Sequence, residues 1–223
     1  CLRSGAGLVT IVCEPDIIPI LQSQVPVAQC RSVNAVLKEP PKYDVLLAGC
    51  GLGQSEMLWE RVMRLYQPAA PAVLDADALN MLANHSMRLG EHTVITPHVG
   101  EAARLLGVQP ADVAGDMLAA ADALYTTFRC TIVLKSHTSI ILSAQGTAMN
   151  TVGSPVLAKG GSGDALAGII AGLLAQGMQP FDAARYGCLW LGKAAQLAQH
   201  RMGSYAPLTT DVLMLMGEAS LGQ

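Results

Sequence analysis

Six residues, Lys159-Gly160-Gly161-Ser162-Gly163-Asp164, constrain this chain more than any other stretch. Glycine in three of four successive positions admits backbone conformations closed to other residues, so consecutive N–H groups can turn inward as an anion-binding nest. Leu166, Ile169, Ile170, Leu173 and Leu174 follow at helical spacing. A glycine turn that opens a helix joins unpaired N–H groups to the positive end of the dipole, which makes a phosphate site. Asp164 then either caps that helix or takes a proton from a hydroxyl attacking phosphorus, and the context favours the second.

An apolar helix needs a sheet to lie on. Residues 8–13, 44–48, 72–74, 93–95 and 131–135 are short apolar runs of strand length, the first read as a strand buried on both faces of a parallel sheet. Helical segments over 55–66, from about 100, and over 116–128, 181–200 and 209–219 alternate with them or follow. Residues 1–5 read as the end of a helix closed by glycine, and 138–142 with 147–150 as an antiparallel pair turning at Gln145-Gly146. The expected fold is α/β, three-layer and doubly wound, with a mostly parallel sheet flanked by helices in one domain over 1–223. With 51% hydrophobic and 14% charged residues, such a domain buries a full core without metals or disulfides.

A formal charge of −3 with no basic run argues against nucleic acid or an anionic membrane as partner. No apolar run reaches the roughly 18 residues of a membrane span, and no signal peptide is recognisable. The six cysteines show no C-x-x-C pair, which suits reduced thiols and a cytoplasmic setting.

In parallel sheets, ligands bind beyond the carboxyl ends of the strands, and the polar motifs gather there. Gly49-Cys50-Gly51-Leu52-Gly53 is spaced G-x-G-x-G, so it is either a tight strand-to-helix turn or a ligand loop other than the dinucleotide fingerprint. Asp75 ends a buried strand and could meet Mg²⁺ or a substrate hydroxyl, whereas Asp77 reads as the cap of a helix over 78–83. His98 has no second histidine at metal spacing, so it is not read as a zinc ligand but either as a structural or exposed histidine or as a hydrogen-bonding contact to a ligand. Lys135 and Lys159 are either surface lysines or point charges for a phosphate, and their placement around one nest favours the phosphate. No residue is assigned as a metal ligand.

Five motifs stand in order: Gly5-Ala6-Gly7-Leu8-Val9-Thr10, Gly49-x-Gly51-Leu52-Gly53, Leu74-Asp75-Ala76-Asp77-Ala78-Leu79-Asn80, Ile95-Thr96-Pro97-His98-x-Gly100-Glu101, and Gly160-Gly161-Ser162-Gly163-Asp164. Together they resemble the ADP/ATP-dependent NAD(P)H-hydrate dehydratases of the ribokinase-like superfamily, over nearly the whole chain. The resemblance implies repair of hydrated NADH or NADPH (the S form), with ADP, less readily ATP, as co-substrate, Mg²⁺ as cofactor, and a homo-oligomer, tetrameric or larger. It implies Asp164 as the base, with Gly51, His98 and Asp164 on the substrate. Lys135, Ser136, His137, Thr138 and Ser139, with Lys159, Gly160, Gly161, Ser162 and Gly163, would meet the nucleotide.

Cys50 stands where the family has proline, Ser136 where it has glycine, and Ser139 where it has threonine. The family's first strand and a small-residue substrate loop would precede Cys1, so the chain is expected to lack the N-terminal part of its domain. Two other readings stand beside this one. A small-molecule alcohol kinase of the same fold is the alternative enzyme; a non-catalytic nucleotide binder would have less need of Asp164.

Overall fold

Side-chain alternation along short strands sets the architecture of the chain, whose computed structural model describes residues 1–39, 42–85 and 87–220. In chain order, a 3-10 turn (Leu2–Ser4) leads to β1 (Thr10–Cys13), α1 (Ile18–Gln24), β2 (Gln29–Ser32) and α2 (Val33–Lys38). Then come β3 (Leu46–Ala48), α3 (Glu56–Leu65), β4 (Ala72–Leu74), α4 (Asp77–Leu82) and β5 (Thr93–Ile95). Three helices, α5 (Val99–Leu106), α6 (Pro110–Gly115) and α7 (Met117–Phe128), precede β6 (Thr131–Leu134) and the hairpin β7 (Ser139–Ser143) and β8 (Gly146–Asn150). The chain closes with α8 (Ser162–Ala175), α9 (Pro180–Met202), α10 (Thr209–Met214) and α11 (Met216–Ser220).

The main sheet has the order β3-β4-β5-β6-β7-β8. Its first four strands are parallel, and β7 and β8 join antiparallel. Successive residues of a strand face opposite layers. Leu74, Ile95, Ile132, Leu134 and Leu142 accordingly meet Trp59, Leu79, Leu82 and Leu124 on one side. Val73, Val94, Val133 and Ile141 meet Ile169, Ile170, Leu191 and Ala195 on the other. Helices α3, α4 and α7 thus cover one face and α8 and α9 the other, giving the expected three-layer, mostly parallel α/β fold. Full burial of each leucine or isoleucine contributes about 1.5–3 kcal/mol, so the two layers hold the site's strand ends rigidly.

The caps follow the sequence. Ser55 accepts from the Leu58 N–H at the start of α3, and Asp116 from the Ala119 N–H at the start of α7. The structure departs from expectation elsewhere. The 8–13 run is not buried within the main sheet: β1 pairs with β2 in a separate two-stranded parallel sheet, and Val12 is 38% exposed. Its partner, Gln29-Cys30-Arg31-Ser32, carries no apolar pattern, so periodicity did not reveal it. The opening segment is a 3-10 turn ended by Gly5 at φ 100°, the helix from 209 breaks at Leu215, and the hairpin turns at Ala144-Gln145 with Gly146 already in β8.

Candidate active site

The carboxyl ends of β3, β4, β5 and β6 and the start of α8 meet at one edge of the sheet. α8 begins at Gly161, which takes a left-handed φ of 84°, and the first intrahelical bond runs from the Ala165 N–H to the Gly161 carbonyl. The N–H groups of Gly163 and Asp164 therefore have no backbone acceptor among the described residues. Thr209 braces the turn, donating to the Gly160 carbonyl (3.1 Å) and lying 3.2 Å from the Ser162 hydroxyl. Asp164 is the third residue of the helix, exposed, and is not its cap.

Beside this turn lies a buried ion pair. Lys135 Nζ donates to Asp75 Oδ1 at 2.8 Å, with the lysine side chain 18% and the aspartate 2% exposed. Gly163 lies against the pair: a methyl group there would sit 3.2 Å from Lys135 Nζ and 3.5 Å from Asp75 Oδ2. Asp75 offsets the ammonium's charge next to the positive end of α8. Losing one partner of such a pair costs about 3–5 kcal/mol, because the other is left charged and buried.

Cys50 completes the cluster, its sulfur and carboxylate oxygens of Asp75 and Asp164 all lying within 4.8 Å of one another. Burial first, then the negative charges of Asp164 and Asp75, push the Cys50 thiol up to about 12, with Lys135 acting in the opposite direction. The thiol is protonated at neutral pH. Since thiolate is the reactive form, Cys50 is expected to alkylate well below the rate of a free cysteine at pH 8, even though reagent can reach it from the cleft. The rate should climb as pH rises toward 12, and peptide mass spectrometry after timed iodoacetamide treatment would read it. Labelling at the free-cysteine rate would contradict this environment.

His98 is the cap of α5. Its Nδ1 accepts from the N–H groups of Gly100 (2.9 Å) and Glu101 (3.3 Å), while Glu101 Oε2 accepts from the His98 N–H (2.9 Å). With Nδ1 committed as acceptor, the ring proton resides on Nε2, 3.4 Å from Glu101 Oε1, and the ring is largely exposed at the cleft. His98 also sits beside Lys135 through a parallel bridge, the Lys135 N–H donating to the Pro97 carbonyl.

Asp77 differs from expectation. It is the first residue of α4 and makes no cap. Its Oδ2 instead accepts from the Gly53 N–H at 2.8 Å and its Oδ1 from the Gln54 side-chain amide at 3.1 Å. The glycine loop carrying Gly51 is thus tied down by a residue of the next strand's turn. Lys159 donates to the carbonyls of Tyr205 and Pro207 at 2.6 Å each. Ser136, His137 and Thr138 form the turn after Lys135, with Ser136 Oγ 3.3 Å from His137 Nδ1, and Ser139 begins β7.

The structure therefore brings Gly51, Lys135, Gly163 and Asp164 to one edge with His98 adjacent, and commits the Lys159 ammonium to two backbone carbonyls. Cys50, the Asp75–Lys135 pairing and Thr209 were not assigned from sequence; for Thr209 the signal was Pro207-Leu208-Thr209-Thr210-Asp211, a helix start at the end of the chain. The donor set suits a hard cation in part: Asp75 and Asp164 offer oxygen, whereas the Cys50 sulfur is too soft for Mg²⁺. A nest, a charged lysine and an exposed carboxylate on one edge can hold a transferring phosphoryl group and deprotonate its acceptor.

The model of the family described as NAD(P)H-hydrate dehydratase matches residues 1–215. A bifunctional NAD(P)H-hydrate repair enzyme, Nnr, of Escherichia coli is 38% identical over 216 residues, covering 95% of this chain and 41% of that protein. An ADP-dependent (S)-NAD(P)H-hydrate dehydratase of Neisseria meningitidis is 38% identical over 170 residues, covering 73% of this chain and 57% of the relative. The chain thus spans about half, or less, of the length of these relatives. Among solved structures, the ADP/ATP-dependent NAD(P)H-hydrate dehydratase of Bacillus subtilis, co-crystallised with ATP and Mg²⁺ and soaked with CoA, superimposes with a TM-score of 0.89 at 26% identity. That match covers 99% of this chain and 83% of the other.

Proposed function

Since the chain belongs to the NAD(P)H-hydrate dehydratase family, we propose that it restores NADH and NADPH from their S-form hydrates, converting ADP to AMP and phosphate. The observation that carries this reading is the exposed Asp164 carboxylate beside the unpaired N–H groups that open α8. Asp164 takes the proton of the ring hydroxyl as that oxygen attacks the terminal phosphorus of ADP, and AMP departs. The N–H groups of Gly163 and Asp164 and the Lys135 ammonium hold the charge on the phosphoryl oxygens. The phosphate ester then leaves as phosphate, pushed out by the ring nitrogen's lone pair, and loss of a ring proton restores the dihydronicotinamide. Phosphate leaves far more readily than hydroxide, which is why phosphoryl transfer serves a dehydration.

Gly51 and His98 lie on the substrate side, the His98 Nε2–H available as donor. Residues 136–139 line the nucleotide side with Lys135, and Gly160 to Ser162 form the wall of the nest. A Mg²⁺ ion entering with the nucleotide would be held through its phosphates and the exposed Asp164 carboxylate, Asp75 being committed to Lys135, and would neutralise phosphate charge. Lys159 contributes by holding the carbonyls of Tyr205 and Pro207, just ahead of Thr209, which braces the Gly160 carbonyl. A homo-oligomer in a reducing, cytoplasmic compartment completes the reading. Six free cysteines support the compartment, and exposed Leu8, Ile20 and Val27 support self-association. Among the described residues no helix is long and apolar enough to cross a membrane.

The test incubates the protein with Mg²⁺ and hydrated NADH, with ADP or ATP in separate reactions, and follows the returning dihydronicotinamide absorbance. Recovery with ADP, faster than with ATP, is expected. The second reading, a kinase for a small alcohol, predicts a stable phosphorylated product from ATP and no recovery of NADH.

A further inference from the structure

We infer that the Asp75-Ala76-Asp77 turn is a two-sided positioning element, Asp75 fixing Lys135 for the nucleotide and Asp77 fixing the 49–53 loop for the substrate; this rests on the function proposed above. Residues two apart on a strand share a face. Here they diverge, because Ala76 adopts φ 49° and ψ −116°, a conformation that non-glycine residues rarely occupy. Such a backbone persists only where its surroundings hold it in place. They do so here: the Asp75 N–H donates to the Ala48 carbonyl (3.1 Å), the Asp77 N–H to the Gly49 carbonyl (3.2 Å) and the Ala78 N–H to the Asp75 carbonyl (3.1 Å).

Beyond the strained residue the two carboxylates reach opposite ways along the sheet edge. Asp75 extends past β5 to Lys135 at the end of β6, 2.8 Å away. Asp77 turns toward the loop that follows β3, binding the Gly53 N–H and the Gln54 side chain. An ammonium on a flexible four-carbon stem binds phosphate well only when something holds it in place, and Asp75 is its ion-pair partner. A loop with glycines at φ 118°, 66° and 80° has many alternatives, and Asp77 selects one of them. Neither carboxylate needs to touch a reacting atom for this role.

The experiment compares wild type with Asp75→Asn, Asp77→Ala and Asp77→Asn in the hydrated-NADH assay with ADP and Mg²⁺. Peptide-level hydrogen exchange over residues 49–54, calorimetric ADP binding and thermal unfolding accompany it. Asp77→Ala is expected to raise KM for hydrated NADH about tenfold and to quicken exchange over 49–54, with KM for ADP changed less than about twofold. Asp77→Asn, which keeps one acceptor oxygen for Gly53, should recover part of both effects. Asp75→Asn should do the reverse, weakening ADP about tenfold and leaving exchange over 49–54 unchanged. The inference is overturned if each variant moves both KM values together, or if Asp77→Ala leaves the loop's exchange at the wild-type rate. Wild type that recovers no NADH with either nucleotide would reject the proposed function instead. Exchange and ADP calorimetry would then still decide whether the turn positions its two partners.

Discussion

Replacing Asp164 with asparagine is expected to lower kcat for NADH recovery about 10³-fold, the scale of a positioned general base. ADP binding, measured without Mg²⁺, should stay within a few-fold of wild type, because the direct phosphate ligands are N–H groups and Lys135 rather than this carboxylate. It could even tighten, since a negative charge beside the phosphates disappears. Thermal stability should barely move. The side chain is exposed, α8 is started by Gly161, and what is lost is a first-turn carboxylate worth about 0.3–1 kcal/mol. This pattern separates the two roles that sequence allowed the residue: a cap would lose stability and keep its rate, and a base does the opposite. Stopped assays at saturating ADP, calorimetric ADP binding and a melting curve measure the three quantities. An asparagine variant that turns over at the wild-type rate would remove Asp164 from the chemistry.

Much of the site was legible because glycine and strand-end motifs announce themselves locally. Gly160 to Asp164, Gly49 to Gly53 and Thr96 to His98 fall at the ends of strands whose apolar runs are unmistakable, and the structure puts them on one edge. What sequence could not supply is who meets whom across the sheet. Asp77 precedes a run of helical residues and so looks like a cap, yet its carboxylate binds Gly53, 24 positions earlier. Lys135 and Lys159 looked equivalent beside the nest. The side chain of one is held by buried Asp75, and that of the other by two carbonyls of a later loop. These are long-range pairings of polar groups, which carry no periodicity. β2 was missed for a related reason: a short strand paired on one side only need not be apolar.

The second large effect is expected at Gly49, where an alanine should cost more than about 3 kcal/mol, beyond ordinary surface substitutions. Gly49 has φ 118°, a conformation unfavourable for any residue bearing a Cβ. The Cβ would also fall 1.7 Å from the carbonyl oxygen of Asp75 and 3.0 Å from the Ala78 methyl. The first of these is backbone at the end of a fully buried strand, so it cannot swing aside as a long side chain would. Relief requires β3 and β4 to separate at the end that carries the active site. For a chain of this length 3 kcal/mol corresponds to a fall in Tm of roughly 6–12 °C. Activity should fall further than stability alone predicts, because the Asp75 turn and the 49–53 loop move together. Gly51→Ala is the control. At φ 66° a Cβ there meets nothing within 4 Å, so only the left-handed backbone penalty of about 1 kcal/mol applies. Its effect should appear in KM for the hydrated dinucleotide rather than in the melting curve. Equal melting temperatures for Gly49→Ala and wild type would mean that the two strand ends are not interlocked at this contact.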